Sequence, residues 1–228
     1  MSRSELKSMS KEQIKGNILT ILCYTIVIGV CLSVVSAIFS ATENTVLVLA
    51  GTIITYILTF CFSFSLLVVF MGITNGRKAM LADLGIGFKR FKDAVPLYFF
   101  VGLYTALWSL LFVIPGIIKG ISYSAAPFIM ADNPGMGANE AITRSRELMN
   151  GHKMDYFVLN LSFILWYLLC GITLGLAAIY VVPYVETTIA NFMKDLGAYS
   201  GDGSVVETAP AASEPMEETT PEDEGPIQ

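Results

Sequence analysis

The sequence predicts an all-α, polytopic transmembrane helical bundle: about six spans in three hairpins, amphipathic cytoplasmic helices, and a disordered acidic C-terminal tail. Three observations lead there. Of 228 residues, 54% are hydrophobic and only 14% charged, and the mean hydropathy is +0.63. That is more apolar surface than one soluble core hides, so lipid is the expected solvent. The apolar residues also gather into runs long enough to cross a hydrocarbon core of about 30 Å at about 1.5 Å per residue. Finally, with six spans and the N-terminus inside, every Lys and Arg except Lys119 falls on the cytoplasmic side, as the positive-inside rule asks.

The net charge of -5 conceals an uneven distribution, because residues 198–228 hold eight acidic side chains and no Lys or Arg. The remaining chain is mildly basic. Cys23, Cys31, Cys61 and Cys170 lie in apolar runs, and the single histidine, His152, stands apart from them. Neither a disulfide framework nor a metal cluster is indicated, and the cysteines read as small buried apolar residues.

Residues 1–16 form an amphipathic cytoplasmic segment, with Leu6, Met9 and Ile14 among polar and basic residues and Ser2 spaced from Glu5 as in a capping box. The transmembrane domain covers 17–197, with its first two spans at 17–40 and 46–73. The first run is longer than the apolar core of a secretory signal. Residues 74–94 carry Arg77, Lys78, Lys89, Arg90 and Lys92, with Met80, Leu84, Phe88 and Phe91 at helical intervals. This pattern suits a basic amphipathic helix on an anionic leaflet, or equally a helix packed on the protein's own spans.

The apolar stretch 96–131 is broken at Pro115-Gly116, which divides it into spans 96–114 and 117–131. Read as a single span, it would export Arg144, Arg146 and Lys153. Asn133-Pro134-Gly135 is a turn, and 138–150 is an interfacial helix with Ala141, Ile142, Ser145, Leu148 and Met149 on one face. Glu140 is spaced to pair with Arg144, and Gly151 supplies the stop. Residues 155–196 hold two short spans, 155–170 and 176–196, with the turn near 171–175; one long span is the alternative. The tail, 198–228, mixes Pro, acids and small polar residues and is expected to be disordered. Tyr98, Tyr156 and Tyr199 fall near the inner interface, as an aromatic belt prefers.

Each hairpin follows an amphipathic segment with a glycine near its end, at Lys15-Gly16-Asn17, Gly87-Phe88-Lys89 and Asn150-Gly151-His152. This suggests three weak repeats, or chance likeness between apolar hairpins. A set of stretches carries a more specific likeness: Glu5-Leu6-Lys7, Gly87-Phe88-Lys89-Arg90-Phe91, Ile114-Pro115-Gly116-Ile117-Ile118-Lys119, Tyr123-Ser124-Ala125-Ala126-Pro127, Ser145-Arg146-Glu147-Leu148-Met149-Asn150-Gly151, and Pro183-Tyr184 with Thr188, Ala190 and Phe192. Together they resemble a bacterial integral-membrane family known as domain of unknown function 975, common in low-GC Gram-positive bacteria. The chain has Phe192-Met193 where members often have Phe-Tyr. More distantly, the Pro-Gly break and the Ser-Arg helix resemble the membrane domain of some glycerophosphodiester phosphodiesterases. The resemblance implies a multi-pass protein of the bacterial plasma membrane and brings no catalytic residues; the distribution of Lys and Arg is what puts both termini on the cytoplasmic side.

No GxSxG, Walker loop or HExxH occurs, and no second histidine is present to pair with a nucleophile. An enzyme is not expected, nor a cofactor, nor nucleic-acid binding. The functional candidates are two groups. Glu186 falls near mid-membrane, with Asn160, Thr187, Thr188 and Asn191 able to join it and Lys119 outside the break. An intramembrane carboxylate is costly unless used or paired; the bland alternative has Glu186 reach an interface or bond to Thr187 and Asn191. The second group, Lys89, Arg90, Lys92, Arg144 and Arg146, suits anionic lipid or a solvated inner face. The expected role is non-enzymatic scaffolding in the envelope, binding lipid, a protein partner or a second copy through the hairpins. A small transporter using Glu186, or an accessory domain of a lipid-related enzyme, are the alternatives.

Overall fold

A computed structural model of the protein describes residues 2–42 and 44–200. Among them, every regular element is helical. In α1 (Arg3–Lys15) the Ser2 hydroxyl accepts from the Glu5 N–H, while the Ser2 N–H donates to the Glu5 carboxylate at 2.8 Å, completing the expected capping box. These bonds hold the Glu5 carboxyl below its ordinary pKa. The helices α2 (Ile18–Ser40) and α3 (Thr45–Thr74) form the first hairpin.

The segment after α3 is not the continuous helix that both readings of 74–94 expect. Gly76, at φ +80, reverses the chain, and a 3₁₀ turn (Leu81–Gly85) leads into the single-turn α4 (Ile86–Lys89). The buried Asp83 carboxylate accepts from the Met80 N–H at 3.0 Å and from Arg77 at 2.7 Å. The Ser65 hydroxyl donates to the Leu84 carbonyl at 2.8 Å and accepts from the Gly87 N–H at 2.8 Å. Such side-chain bonds satisfy backbone groups that a longer helix would otherwise pair. The segment therefore folds back along α3 as the second expectation, packing on the protein's own spans, requires.

The second hairpin consists of α5 (Phe91–Leu111), α6 (Val113–Tyr123) and α7 (Ala126–Asp132). Its turn comes at Phe112, whose backbone is extended (φ -156, ψ 139), three residues before the expected break. Pro115 is the third residue of α6, within the first turn, where a missing N–H leaves no helix bond unmade. The amphipathic α8 (Ala138–Leu148) follows, with Ala141, Ile142, Ser145 and Met149 buried and Leu148 half-buried. Arg144 lies 3.4 Å from Glu140, and Gly151 takes φ +90, both as expected.

The last hairpin comprises α9 (Lys153–Leu161), α10 (Ile164–Ile172) and α11 (Ala178–Asp195). Its turn lies at 173–177, a little later than expected, and is built on two positive-φ residues, Leu174 and Gly175. Among the described residues, five helical segments are long and apolar enough to cross a membrane: Ile18–Ser40, Thr45–Thr74, Phe91–Leu111, Val113–Asp132 and Lys153–Ile172. α11 has 18 residues but carries Lys194, Asp195, Glu186 and Asn191, which dilute its hydropathy.

Burial divides the molecule into two ends. At the junction end, the second halves of α3 and α11 pack with α1, α4, α7 and α8 around Phe64, Met71, Leu97, Met130, Met149 and Met193. Toward the hairpin tips, large apolar side chains stay open, Leu110 at 87% and Leu174 at 95% exposure. Cys61 is buried as expected, but Cys23 and Cys31 are exposed on the apolar surface of α2. The hairpins do not stand parallel: Lys153, Met154 and Phe157 at the start of α9 face Ile114, Ile117 and Ile118 across an apolar crevice of about 440 Å³. A junction residue thus meets the tip half of α6, so the second hairpin leans across the base of the third.

The chain stays folded past 198, where the disordered tail was expected to start. Tyr199 is buried, stacks on Phe128, donates to the Ala190 carbonyl at 3.0 Å and shares a 2.7 Å hydrogen bond with Thr74. That burial raises its phenol pKa above the ordinary range. The rest of the expected tail, 201–228, lies outside the described residues.

Candidate functional site

α1 packs along one face on the protein itself. Its Leu6, Ser10 and Ile14 are fully buried against α11 and α3, while Met9 is exposed. Those three buried positions lie four residues apart, so they share one face. Asn191 of α11 donates to the Ser10 hydroxyl at 3.0 Å and to the Gln13 side-chain carbonyl at 2.7 Å. Beside them, the Lys194 ammonium donates to Asn75 at 2.7 Å and to the Thr74 carbonyl at 3.3 Å, capping α3. Lys7 stands 4.5 Å from the centre of the Phe163 ring and Lys11 5.8 Å from that of Tyr184. Partial burial, with help from Lys11 and Arg3, lowers the Lys7 pKa.

Asn191 is therefore committed to holding α1 rather than to a site with Glu186. Replacing it by leucine removes both bonds and strands Gln13, at a cost of roughly 1–2 kcal/mol. The expected result is faster amide hydrogen exchange across Leu6–Ile14, about tenfold, with α3 unchanged. Equal exchange in α1 of the variant would show that the apolar contacts alone dock it.

Glu186 faces elsewhere. It lies open on a crevice of about 240 Å³ between α2, α3, α5 and α11, lined among others by Thr25, Ser63, Phe70 and Tyr98. Among the described residues it has no hydrogen-bond or salt-bridge partner, so the local bonds to Thr187 and Asn191 are not formed. Thr188 donates to the Tyr184 carbonyl at 2.7 Å, and Thr187 is buried with its hydroxyl unpartnered. Asn160 donates to the Tyr156 carbonyl at 2.9 Å within its own helix. Lys119 sits over Trp108, 4.7 Å from the ring centre. The six expected polar residues are thus dispersed. Glu186 has Tyr98, Thr25 and Ser63 for company instead, which the sequence separates by many residues.

The five basic candidates also divide. Arg90 is not lipid-facing: it donates to the Ala131 and Met130 carbonyls at 2.6 Å each, pairs with Asp93 at 2.9 Å, and lies 5.1 Å from the centre of the Phe64 ring. It closes the C-terminal turn of α7 onto the start of α5. Lys89 and Lys92 are exposed beside the exposed rings of Phe88 and Phe91. Arg144 and Arg146 are exposed on α8, and Arg144 borders a polar hollow with Glu147, Asp132 and Ser200.

No curated protein and no solved structure matches the chain, so the distant likeness to glycerophosphodiester phosphodiesterases gains no support. A family model described as "Protein of unknown function (DUF975)" matches residues 1–122 and 109–200. The match covers most of the 228 residues, and the chain belongs to the DUF975 family.

Proposed function

We propose that this protein is a non-enzymatic component of a bacterial plasma membrane, which holds lipid or a helical protein partner between hairpins anchored on a folded platform. The observation that carries the reading is the division of burial. The amphipathic segments and junctions build the packed core, while the hairpins keep apolar surface open far beyond what a bundle closed on itself leaves. Inside a bilayer such surface is solvated by lipid, and splayed hairpins present concave apolar faces that a lipid chain or another helix fills. The platform faces the cytoplasm in this reading, since Lys78, Lys89, Lys92, Arg144 and Arg146 are exposed on it.

Photo-crosslinkers placed at Leu110 and Leu174 in living cells test the binding role, and an impermeant thiol reagent at K92C tests the orientation. Discrete adducts from one hairpin position, and labelling of K92C only after the cells are opened, are expected. Adducts that merely follow bulk lipid composition sink the binding role; labelling of K92C in intact cells sinks the orientation. A permease component is the second reading, favoured by one observation alone, the unpartnered Glu186 carboxyl in its crevice.

A further inference from the structure

Glu186 lies nine residues before Asp195 on α11, roughly 13 Å along the axis at about 1.5 Å per residue, and so well inside the apolar part of the molecule. A carboxylate there is expensive without a compensating charge or donor. Neither is supplied by its own helix: Thr187 and Asn191 point to other surroundings, and Thr188 bonds backward to Tyr184. The nearest cation on α11, Lys194, is committed to Thr74 and Asn75 at the junction end. What the carboxyl does face is space. The crevice of about 240 Å³ has aliphatic walls from Ile21, Leu66 and Val182, with Phe70 and Tyr98 as aromatic surfaces. Tyr98 is itself braced by stacking on Phe60, with ring centres 5.7 Å apart.

We infer that this crevice is a binding site for a small lipophilic monocation, such as an amine or quaternary ammonium bearing one apolar group. Each part of the site matches a part of that ligand. Glu186 supplies the single counter-charge, Tyr98 and Phe70 put aromatic rings, which favour a nearby cation, in the same lining, and the aliphatic wall accepts the apolar group. An anion would meet the carboxylate unscreened, and a neutral apolar molecule would leave Glu186 unpaired. A hydrated metal ion would find one carboxylate and hydroxyls, too few hard ligands to replace its water. The site does not depend on the proposed partner-binding role of the hairpins, and its test reads a different surface.

The test uses the full chain in lipid nanodiscs, with phenyltrimethylammonium as the probe and tert-butylbenzene as its uncharged counterpart. Equilibrium binding above that of empty nanodiscs is expected for the cation and not for the neutral molecule. E186Q should weaken cation binding at least tenfold, Y98L severalfold, and E186D should retain most of it, which separates loss of charge from loss of fold. E140Q, on the exposed face of α8, should bind as the parent does. No binding above empty nanodiscs, equal binding of the neutral molecule, or full affinity in E186Q would each overturn the inference.

Discussion

Arg90→Ala is expected to lower stability by about 3 kcal/mol. The guanidinium bonds three groups at once: the Asp93 carboxylate and the carbonyls of Met130 and Ala131. Those two carbonyls belong to the last turn of α7, where the helix dipole concentrates negative charge. Alanine strands all of them near the core and removes the plane that lies over Phe64. Lysine restores the charge but not the fork, since one ammonium cannot reach two neighbouring carbonyls and a carboxylate in fixed planar geometry. Arg90→Lys should therefore recover less than half of the loss. Thermal unfolding of the purified protein in detergent is the measurement, with a fall of roughly 6–12 °C expected for alanine at this chain length. A midpoint within about 1 °C of the parent would mean the clamp contributes nothing. Lys92→Ala, two residues away and exposed, should be silent.

The contrast between Arg90 and Lys92 shows where the sequence stops being legible. Both sit in one basic cluster, and nothing local distinguishes the residue that clamps from the one that is solvated. The partner carbonyls are some forty positions away, and only the antiparallel course of the second hairpin brings them near. Features fixed by local physics were readable: the two long apolar helices, the Ser2–Glu5 capping box, the pairing of Glu140 with Arg144, and the positive φ of Gly151. Features fixed by distant pairing were not. The amphipathic pattern of α1 states that one face avoids water, without saying whether lipid or protein covers it, and Asn191 decides the matter from 181 positions away. Ser10 disguises the buried face further, because its hydroxyl is satisfied within the helix by the Leu6 carbonyl at 2.7 Å. Glu186 was visible as a charge in an apolar run. Its surroundings were not, because Thr25, Ser63 and Tyr98 come from three other helices.

The same limit makes Gly85 and Gly87 a sharp comparison. In the sequence they are two glycines around one isoleucine; in the structure their demands are opposite. Gly85 has an ordinary φ of -77 and open space where a β-carbon would stand. Gly87 is pressed on α3, so that a β-carbon there would overlap the Cys61 carbonyl oxygen and lie 2.7 Å from the Ser65 hydroxyl oxygen. The carbonyl belongs to the middle of a 30-residue helix and cannot move aside. Gly87→Ala must therefore lift α4 away from α3, breaking the bonds by which Ser65 receives the Gly87 N–H and donates to the Leu84 carbonyl. Overpacking of this kind and the lost bonds together should cost about 3 kcal/mol. Gly85→Ala should be neutral or slightly stabilising, by up to about 1 kcal/mol, because alanine restricts the unfolded chain. Denaturation of the two variants side by side makes the test, and equal stability would mean that α4 does not rest on α3 as described. Gly87 is also the glycine of the second of the three weak repeats. Gly16 has open space around it and an ordinary φ of -87, and Gly151 turns the chain at φ +90, so of three glycines that align along the sequence only Gly87 is required for close approach of two helices.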